Sequence, residues 1–506
     1  VLRYTDADID IGTAALLLSQ RPGANIDVRR YRQMLDQMAE TILARLEAKH
    51  IRPDHRAIPV INQYLFEELG FSAVSTADNP ANLFLDSVIA GRKGYCLSLS
   101  ILYLAIGERL GMPLYGVVVP GHFFVRYESG SVRFNIETTS KGNSAPDDYY
   151  INTFKVLPQG HDGIYMRKLT NKETLSCFLN NLSNAHQAAG DIDSALDDLE
   201  TAIRIAPGLA MVHSNLGNIY VKKGWIDKAL YEYNRAIQLD PGEAKSYHNR
   251  AGAYATLGRS WEAIRDFEKA ISLEPNFVDA YRGMADAYRQ EKYYAEAILQ
   301  LQKAMHFAPA NTELVIQMAD VQRESGDLRT AETTYKQALE AKPGNIHALF
   351  GLGLTYGQMG DTDREIEAYK QAIVAKSTLE NKDIKRLAFF NMGNAYMSKK
   401  LYDKASAFYQ LALAMKSDDP RATYNLGVAS MRKEDYKAAV EWYEKTLAVE
   451  PRNKEAHSSI AIALYYLKRY DQAWEHINKA KELGAEVQDE LYKFLANKAQ
   501  QNDNTR

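Results

Sequence analysis

GRKGYCLSLSILYLAIGERLGMPLYGVVVPGHFFVRYESGSVRFNIETT, residues 91–139, sets one Cys, one His and one candidate orienting carboxylate on three successive elements. Aliphatic residues recur at helical spacing from Leu97 to Leu110 and Gly111-Met112-Pro113 ends the run, so Cys96 falls at a helix N-terminus. The unpaired N–H groups and positive dipole end of the helix favour a thiolate there. His122 follows Pro120-Gly121 and opens a β-rich run, Phe123-Phe124-Val125. Ser129-Gly130-Ser131 signals a hairpin, and the returning strand Val132 to Ile136 brings Glu137 back beside the first. Together these make a nucleophile, a base and an orienter. Asn135, on the same side of the returning strand as Glu137, is the alternative orienter of the imidazole.

The order helix-Cys, strand-His, strand-acid resembles the transglutaminase-like fold, an α+β architecture whose core is shared with papain-type proteases. More closely, DNPANLFLDSVIAGRKGYCLSLSILYLAIGERLGMPLYGVVVPGHFFVRY, residues 78–127, is similar to the SirB-type branch of that superfamily, with PGHFFVR after the GYCLSLS helix as the most specific signature. The resemblance implies Cys96 as nucleophile and His122 as base. Glu137 stands where the superfamily usually has Asp before Pro-Thr; here the residues are Glu137-Thr138-Thr139. Members of the branch do not always keep the Cys, and this chain keeps it. Asn82, in the segment leading to the helix, is placed either to point its amide at an oxyanion or to cap a turn.

At 506 residues the chain is too long for one compact core. Lys+Arg of 61 against Asp+Glu of 64, a net charge of −3, supplies no global attraction to nucleic acid, which is dropped as a partner. The two cysteines, Cys96 and Cys177, make no disulfide framework. The ten histidines besides His122 show no metal-ligand spacing, and neither a metal nor another cofactor is expected. No apolar run reaches transmembrane length. A working Cys96 must stay reduced, which favours a cytoplasmic setting, whereas a start at Val1 instead of Met leaves room for a removed leader and an exported form.

Ile26 to His50 reads as a long amphipathic helix and Val60 to Leu69 as another, ended by Gly70. From Lys141 to Gly163 periodicity is lost, as at a domain edge, and Thr170-Asn171-Lys172-Glu173 then reads as a capping box. Beyond it Pro207, Pro241, Pro275, Pro309 and Pro343 lie 34 residues apart. Ala195, Ala229, Ala263, Ala297 and Ala331 recur at the same period, each with a second Ala seven residues on. This is the tetratricopeptide (TPR) pattern, small residues where the two helices of a repeat cross and Pro after the second. The expected organisation is an α+β domain over 1–165, a connection over 166–175, nine repeats over 176–484 in an all-α solenoid, and a capping helix and tail over 485–506. The step from Gly353 to Gly393 is 40 residues, so six extra residues lengthen one connection around Lys376 to Lys382. Gly351-Leu352-Gly353 lies at helix-packing positions and is not read as a nucleotide loop.

Asn181, Asn215, Asn249, Asn391 and Asn425 share one position in the first helix of their repeats, interrupted at Gly283, Gln317 and Gly351. A primary amide donates to a peptide C=O and accepts from a peptide N–H, so a ladder of them can grip an extended chain without reading its side chains. The arrangement resembles the asparagine ladder in the superhelix of O-GlcNAc transferase. The other reading is that Asn merely suits this place in the repeat.

The function expected is cysteine-dependent acyl transfer on a peptide or protein amide, as a peptidase, deamidase or transglutaminase, with a polypeptide ligand held in the concave groove of the repeats. The rival is a non-catalytic adaptor whose first domain is structural. Sequence alone does not choose, nor does it give the oligomeric state.

Overall fold

The computed structural model describes residues 3–20, 26–74, 80–156, 164–375 and 381–503. The chain divides into two compact units, Val1–Ala287 and Tyr288–Arg506.

The first unit begins with α1 (Ile11–Leu18), α2 (Val28–Ala48), α3 (Ile58–Asn62), α4 (Leu85–Gly91), α5 (Cys96–Arg109) and α6 (Asp147–Thr153). Two short parallel strands, β1 (Ser72–Ala73) and β2 (Lys93–Gly94), lead into α5, and β3 (Leu114–Val119), β4 (His122–Ser129) and β5 (Val132–Ile136) form an antiparallel sheet. The second predicted helix, Val60 to Leu69, continues from α3 as a π-helical stretch, Gln63–Glu68. Amphipathic α2 buries Leu35, Met38, Ile42 and Leu46 and leaves its other side to solvent. By contrast α5 is buried from Leu97 to Gly107, the signature of a central helix covered on every side.

Alternation divides the sheet into two faces. Val118, Phe123, Val125, Tyr127 and Ile136 belong to the core that holds α5. Val117, Val119 and Phe124 face the other way and pack with Tyr150 of α6. The aperiodic stretch after Ser140 thus differs from the expected featureless edge: it contains a helix that covers the second face. Seven residues are too few to display a helical period, which is why α6 leaves little trace in the sequence. Residues 157–163 of that stretch lie outside the described residues. The chain then returns along β3, where Met166 N–H donates to Val118 C=O at 3.1 Å and Leu169 N–H to Gly116 C=O at 2.9 Å.

Both halves of the expected capping box form: Thr170 Oγ1 accepts from Glu173 N–H at 3.1 Å and Glu173 Oε2 from Thr170 N–H at 2.9 Å. The paired helices of the first unit are α7 (Asn171–Ala188) with α8 (Ile192–Ile205), α9 (Ala210–Lys222) with α10 (Ile226–Leu239), and α11 (Ala244–Thr256) with α12 (Ser260–Leu273). The unit boundary falls within α13 (Val278–Gln290). The second unit continues with α14 (Tyr294–Phe307), α15 (Thr312–Glu324), α16 (Leu328–Ala341), α17 (Ile346–Met359), α18 (Thr362–Val374), α19 (Lys382–Ser398) and α20 (Tyr402–Met415). It closes with α21 (Pro420–Arg432), α22 (Tyr436–Val449), α23 (Lys454–Tyr466), α24 (Tyr470–Glu482) and α25 (Asp489–Asp503). Among the described residues α7 to α12 make three successive pairs within the first unit, and α15 to α24 make five within the second.

The consensus residues pack as their sizes require. Ala195, Ala202, Ala229 and Ala236 are fully buried, and a Cβ on Gly217 would lie 2.4 Å from the ring of Tyr233. Of the lengthened connection, residues 376–380 lie outside the described residues. Part of the insertion is helical, since α19 has 17 residues where α9 has 13.

Candidate active site

Cys96 is the first residue of α5, half-buried, and its position is set by Ser98. Ser98 Oγ accepts from Tyr95 N–H at 2.9 Å and donates to the main-chain carbonyl of Asn82 at 2.7 Å. This ties the turn before the helix to the segment upstream. A Cβ on Gly94 would sit 2.8 Å from that Ser98 oxygen, so the approach to the cysteine needs Gly. On the far side, Thr138 donates to the Cys96 carbonyl at 3.4 Å.

His122 opens β4, and Glu137 follows β5 in the same line. The register pairs Val125 with Ile136, which makes His122 and Glu137 diagonal neighbours on one face of the hairpin. Nε2 of His122 lies 2.7 Å from Oε2 of Glu137. Cys96 is the other group that acts on the ring, favouring its charged form. Burial disfavours the imidazolium, but hydrogen bonds and charge from Cys96 and Glu137 outweigh it and push His122 up to about 9. Glu137 is desolvated too. Its bonds to His122 and Thr139 outweigh this and hold the carboxyl below its ordinary value.

The carboxylate is closely held. Oε1 accepts from Thr139 N–H at 3.1 Å and from Thr139 Oγ1 at 2.5 Å, and Oε2 also accepts from Tyr150 OH at 3.2 Å. Phe154 lies flat on the His122 ring, centroids 4.8 Å apart and planes 1° from parallel. Tyr150 in turn stacks on Phe124 at 3.8 Å. Neither Tyr150 of α6 nor Phe154, its C-cap, is among the residues expected from the sequence, although the two stand at the i, i+4 spacing of one helix face.

Asn135 does not orient the imidazole, contrary to the alternative expectation. Its oxygen accepts from Arg126 Nε at 2.8 Å, and its amide donates to Ala145 C=O at 2.9 Å and Asp147 Oδ1 at 2.7 Å. Arg126 is 1% exposed, and an inward-facing guanidinium needs several acceptors, which Asn135, Asp147 and the Met166 carbonyl supply. Asn82 adjoins the start of α5 through its carbonyl.

In the repeats, Asn215 donates to Asn180 at 2.8 Å, Asn249 to Ser214 at 3.4 Å, Asn391 to Tyr369 at 3.2 Å and Asn425 to Asn394 at 3.1 Å. Each bond uses one of the two N–H donors of its amide. Asn181 occupies the same position in α7. Two of the three interruptions have a packing cause: Cβ atoms on Gly283 and Gly351 would lie 2.4 and 2.5 Å from the rings of Phe267 and Tyr335. Among the described residues no three His, Cys, Asp or Glu side chains are grouped to hold a metal ion, and no helix is long and apolar enough to cross a membrane.

Residues 29–173 match the family described as the transglutaminase-like superfamily. Families of TPR repeats match 178–206, 217–258, 244–277 and 316–380, and residues 398–480 match the family of anaphase-promoting complex, cyclosome, subunit 3. The chain thus carries an N-terminal transglutaminase-like superfamily domain followed by a TPR array. It is similar to a UPF0162 protein of Xylella fastidiosa (strain 9a5c), 26% identical over 217 residues that make up 39% of this chain and 76% of that protein. A second UPF0162 protein, from X. fastidiosa (strain Temecula1 / ATCC 700964), is 31% identical over 24% of this chain and 43% of its own length. Human F-box only protein 21 is 35% identical over 78 residues, 15% of this chain and 12% of the human protein. Among solved structures, a tetratricopeptide repeat protein from Parabacteroides merdae is 19% identical, with a TM-score of 0.42 over 50% of this chain and 98% of the other.

Proposed function

We propose that the chain is a cysteine-dependent acyl-transfer enzyme of SirB-type transglutaminase-like ancestry, acting on peptide or protein amides that its repeat array recruits. The reading rests above all on the 2.7 Å contact of His122 with Glu137, on an imidazole whose charged form Cys96 also favours. With His122 raised to about 9, the imidazole holds a proton at neutral pH, and the attacking form of Cys96 is its thiolate. The thiolate adds to an amide carbonyl, and the Cys96 N–H at the start of α5 faces the oxyanion. Collapse of that adduct breaks the C–N bond. His122 gives its proton to the departing amine, and Glu137 keeps the ring in place. The thioester left on Cys96 is then resolved by water, giving hydrolysis or deamidation, or by a second amine, giving a cross-link.

For the array, the amides of Asn181, Asn215 and Asn249 in the first unit, and of Asn391 and Asn425 in the second, support an extended polypeptide as the ligand, gripped through its backbone.

Iodoacetamide labelling at neutral pH tests the enzyme reading. Cys177 is 3% exposed, and burial pushes its thiol up to about 12, so it serves as an internal unreactive thiol. Selective alkylation of Cys96 supports the proposal. Alkylation no faster at Cys96 than at Cys177 supports the adaptor instead.

A further inference from the structure

The orienting carboxylate sits on a longer side chain than the Asp usual in this superfamily, and Glu has one more rotatable bond. Unrestrained, that bond would let the carboxylate swing away from the imidazole, at a cost in order that a shorter acid avoids. Here both oxygens are occupied. Oε1 is held by the main chain and hydroxyl of Thr139, and Oε2, the oxygen facing His122, is also bonded by Tyr150. Tyr150 is itself fixed, 0% exposed and stacked on Phe124 at 3.8 Å. Four residues on, Phe154 covers the face of the imidazole.

From this arrangement we infer that Tyr150 is a positioning residue: its hydroxyl, with that of Thr139, locks the Glu137 rotamer that holds His122, while Phe154 fixes the plane of the ring. This deepens the acyl-transfer reading and rests on it for its purpose, but the geometry belongs to the His122–Glu137 pair itself. Among the described residues the groups interacting with His122 are Cys96 and Glu137, with Tyr150 and Phe154 as stacking neighbours.

The test follows the His122 side chain by NMR across pH in the full chain, beside the iodoacetamide rate at Cys96. Tyr150→Phe removes one oxygen and keeps the ring that packs on Phe124, so the fold is retained. If the hydroxyl locks Glu137, the imidazole loses part of its partner, and its titration midpoint falls from the wild-type position towards 6.5 by about half a pH unit or more. Tyr150→Phe combined with Thr139→Val should fall further, approaching Glu137→Gln. An unchanged midpoint overturns the inference. A higher midpoint also overturns it, since it would mean that Tyr150 competes with His122 for the shared oxygen. Because the midpoint is read on His122, a wild-type Cys96 that fails to alkylate would reject the acyl-transfer reading and leave the test of Tyr150 intact.

Discussion

Ser100 and Thr138 share a buried hydrogen bond, Oγ to Oγ1 at 3.1 Å, that fastens the end of the hairpin to the helix carrying Cys96. Thr138 directly follows Glu137, and Ser100 lies one turn along α5 from Cys96. The two elements of the candidate site are therefore clamped by side chains that take no part in the chemistry. Both residues are at most 1% exposed, so removing the Thr138 hydroxyl strands that of Ser100. Thr138→Val should cost about 1–3 kcal/mol in urea unfolding and slow alkylation of Cys96, whereas the double change with Ser100→Ala should recover much of the stability. Additive losses in the double-mutant cycle would contradict the clamp.

The His122–Glu137 pair makes stability depend on pH with a definite sign. The folded His122 is raised from 6.5 to about 9, so its contribution is complete below 6.5 and disappears as pH rises through about 9. Glu137 is lowered, so its share is present above 4.5 and disappears as pH falls through its folded value. Urea midpoints of wild type, compared with His122→Gln, should show an advantage that is greatest between 4.5 and 6.5 and declines towards 9. Since Cys96 helps to raise His122, Cys96→Ala should move the upper end of the decline to lower pH.

Two glycines in neighbouring repeats should respond oppositely to Ala. A Cβ on Gly217 would meet the Tyr233 ring at 2.4 Å, whereas one on Gly252, within α11, meets nothing within 4 Å. Gly217→Ala should destabilise the first unit by about 1–3 kcal/mol through overpacking. Gly252→Ala should stabilise it by about 0.5–1 kcal/mol, because Ala loses less backbone entropy in a helix. Calorimetric melting distinguishes the two directly.

The asparagines of the first repeats carry two expected effects that separate by measurement. Asn215→Ala alone should lower stability by about 1–3 kcal/mol, because the oxygen of Asn180, 2% exposed, loses its donor. Asn181, Asn215 and Asn249 changed together to Ala should weaken binding of an unfolded polypeptide by about tenfold or more, at about 1 kcal/mol for each amide. Normal binding by a folded triple variant would assign these side chains to packing alone.

What the sequence determined by itself was whatever repeats or lies close along the chain. The 34-residue period yields the paired helices, because each repeat buries the same small residues against the same neighbours. Thr170 and Glu173 announce a helix start three residues apart, and the apolar run after Cys96 announces a central helix. The pairing of His122 with Glu137 was within reach because a two-residue turn fixes hairpin register. Tertiary structure alone decided which polar group on β5 meets the imidazole. Asn135 and Glu137 share a face, and only the buried Arg126, with acceptors on Asp147 and Met166, draws Asn135 away. It also decided the roles of Tyr150 and Phe154. Their helix is too short to carry a period, and its place over the second face of the sheet depends on residues distant in sequence, which no local pattern encodes.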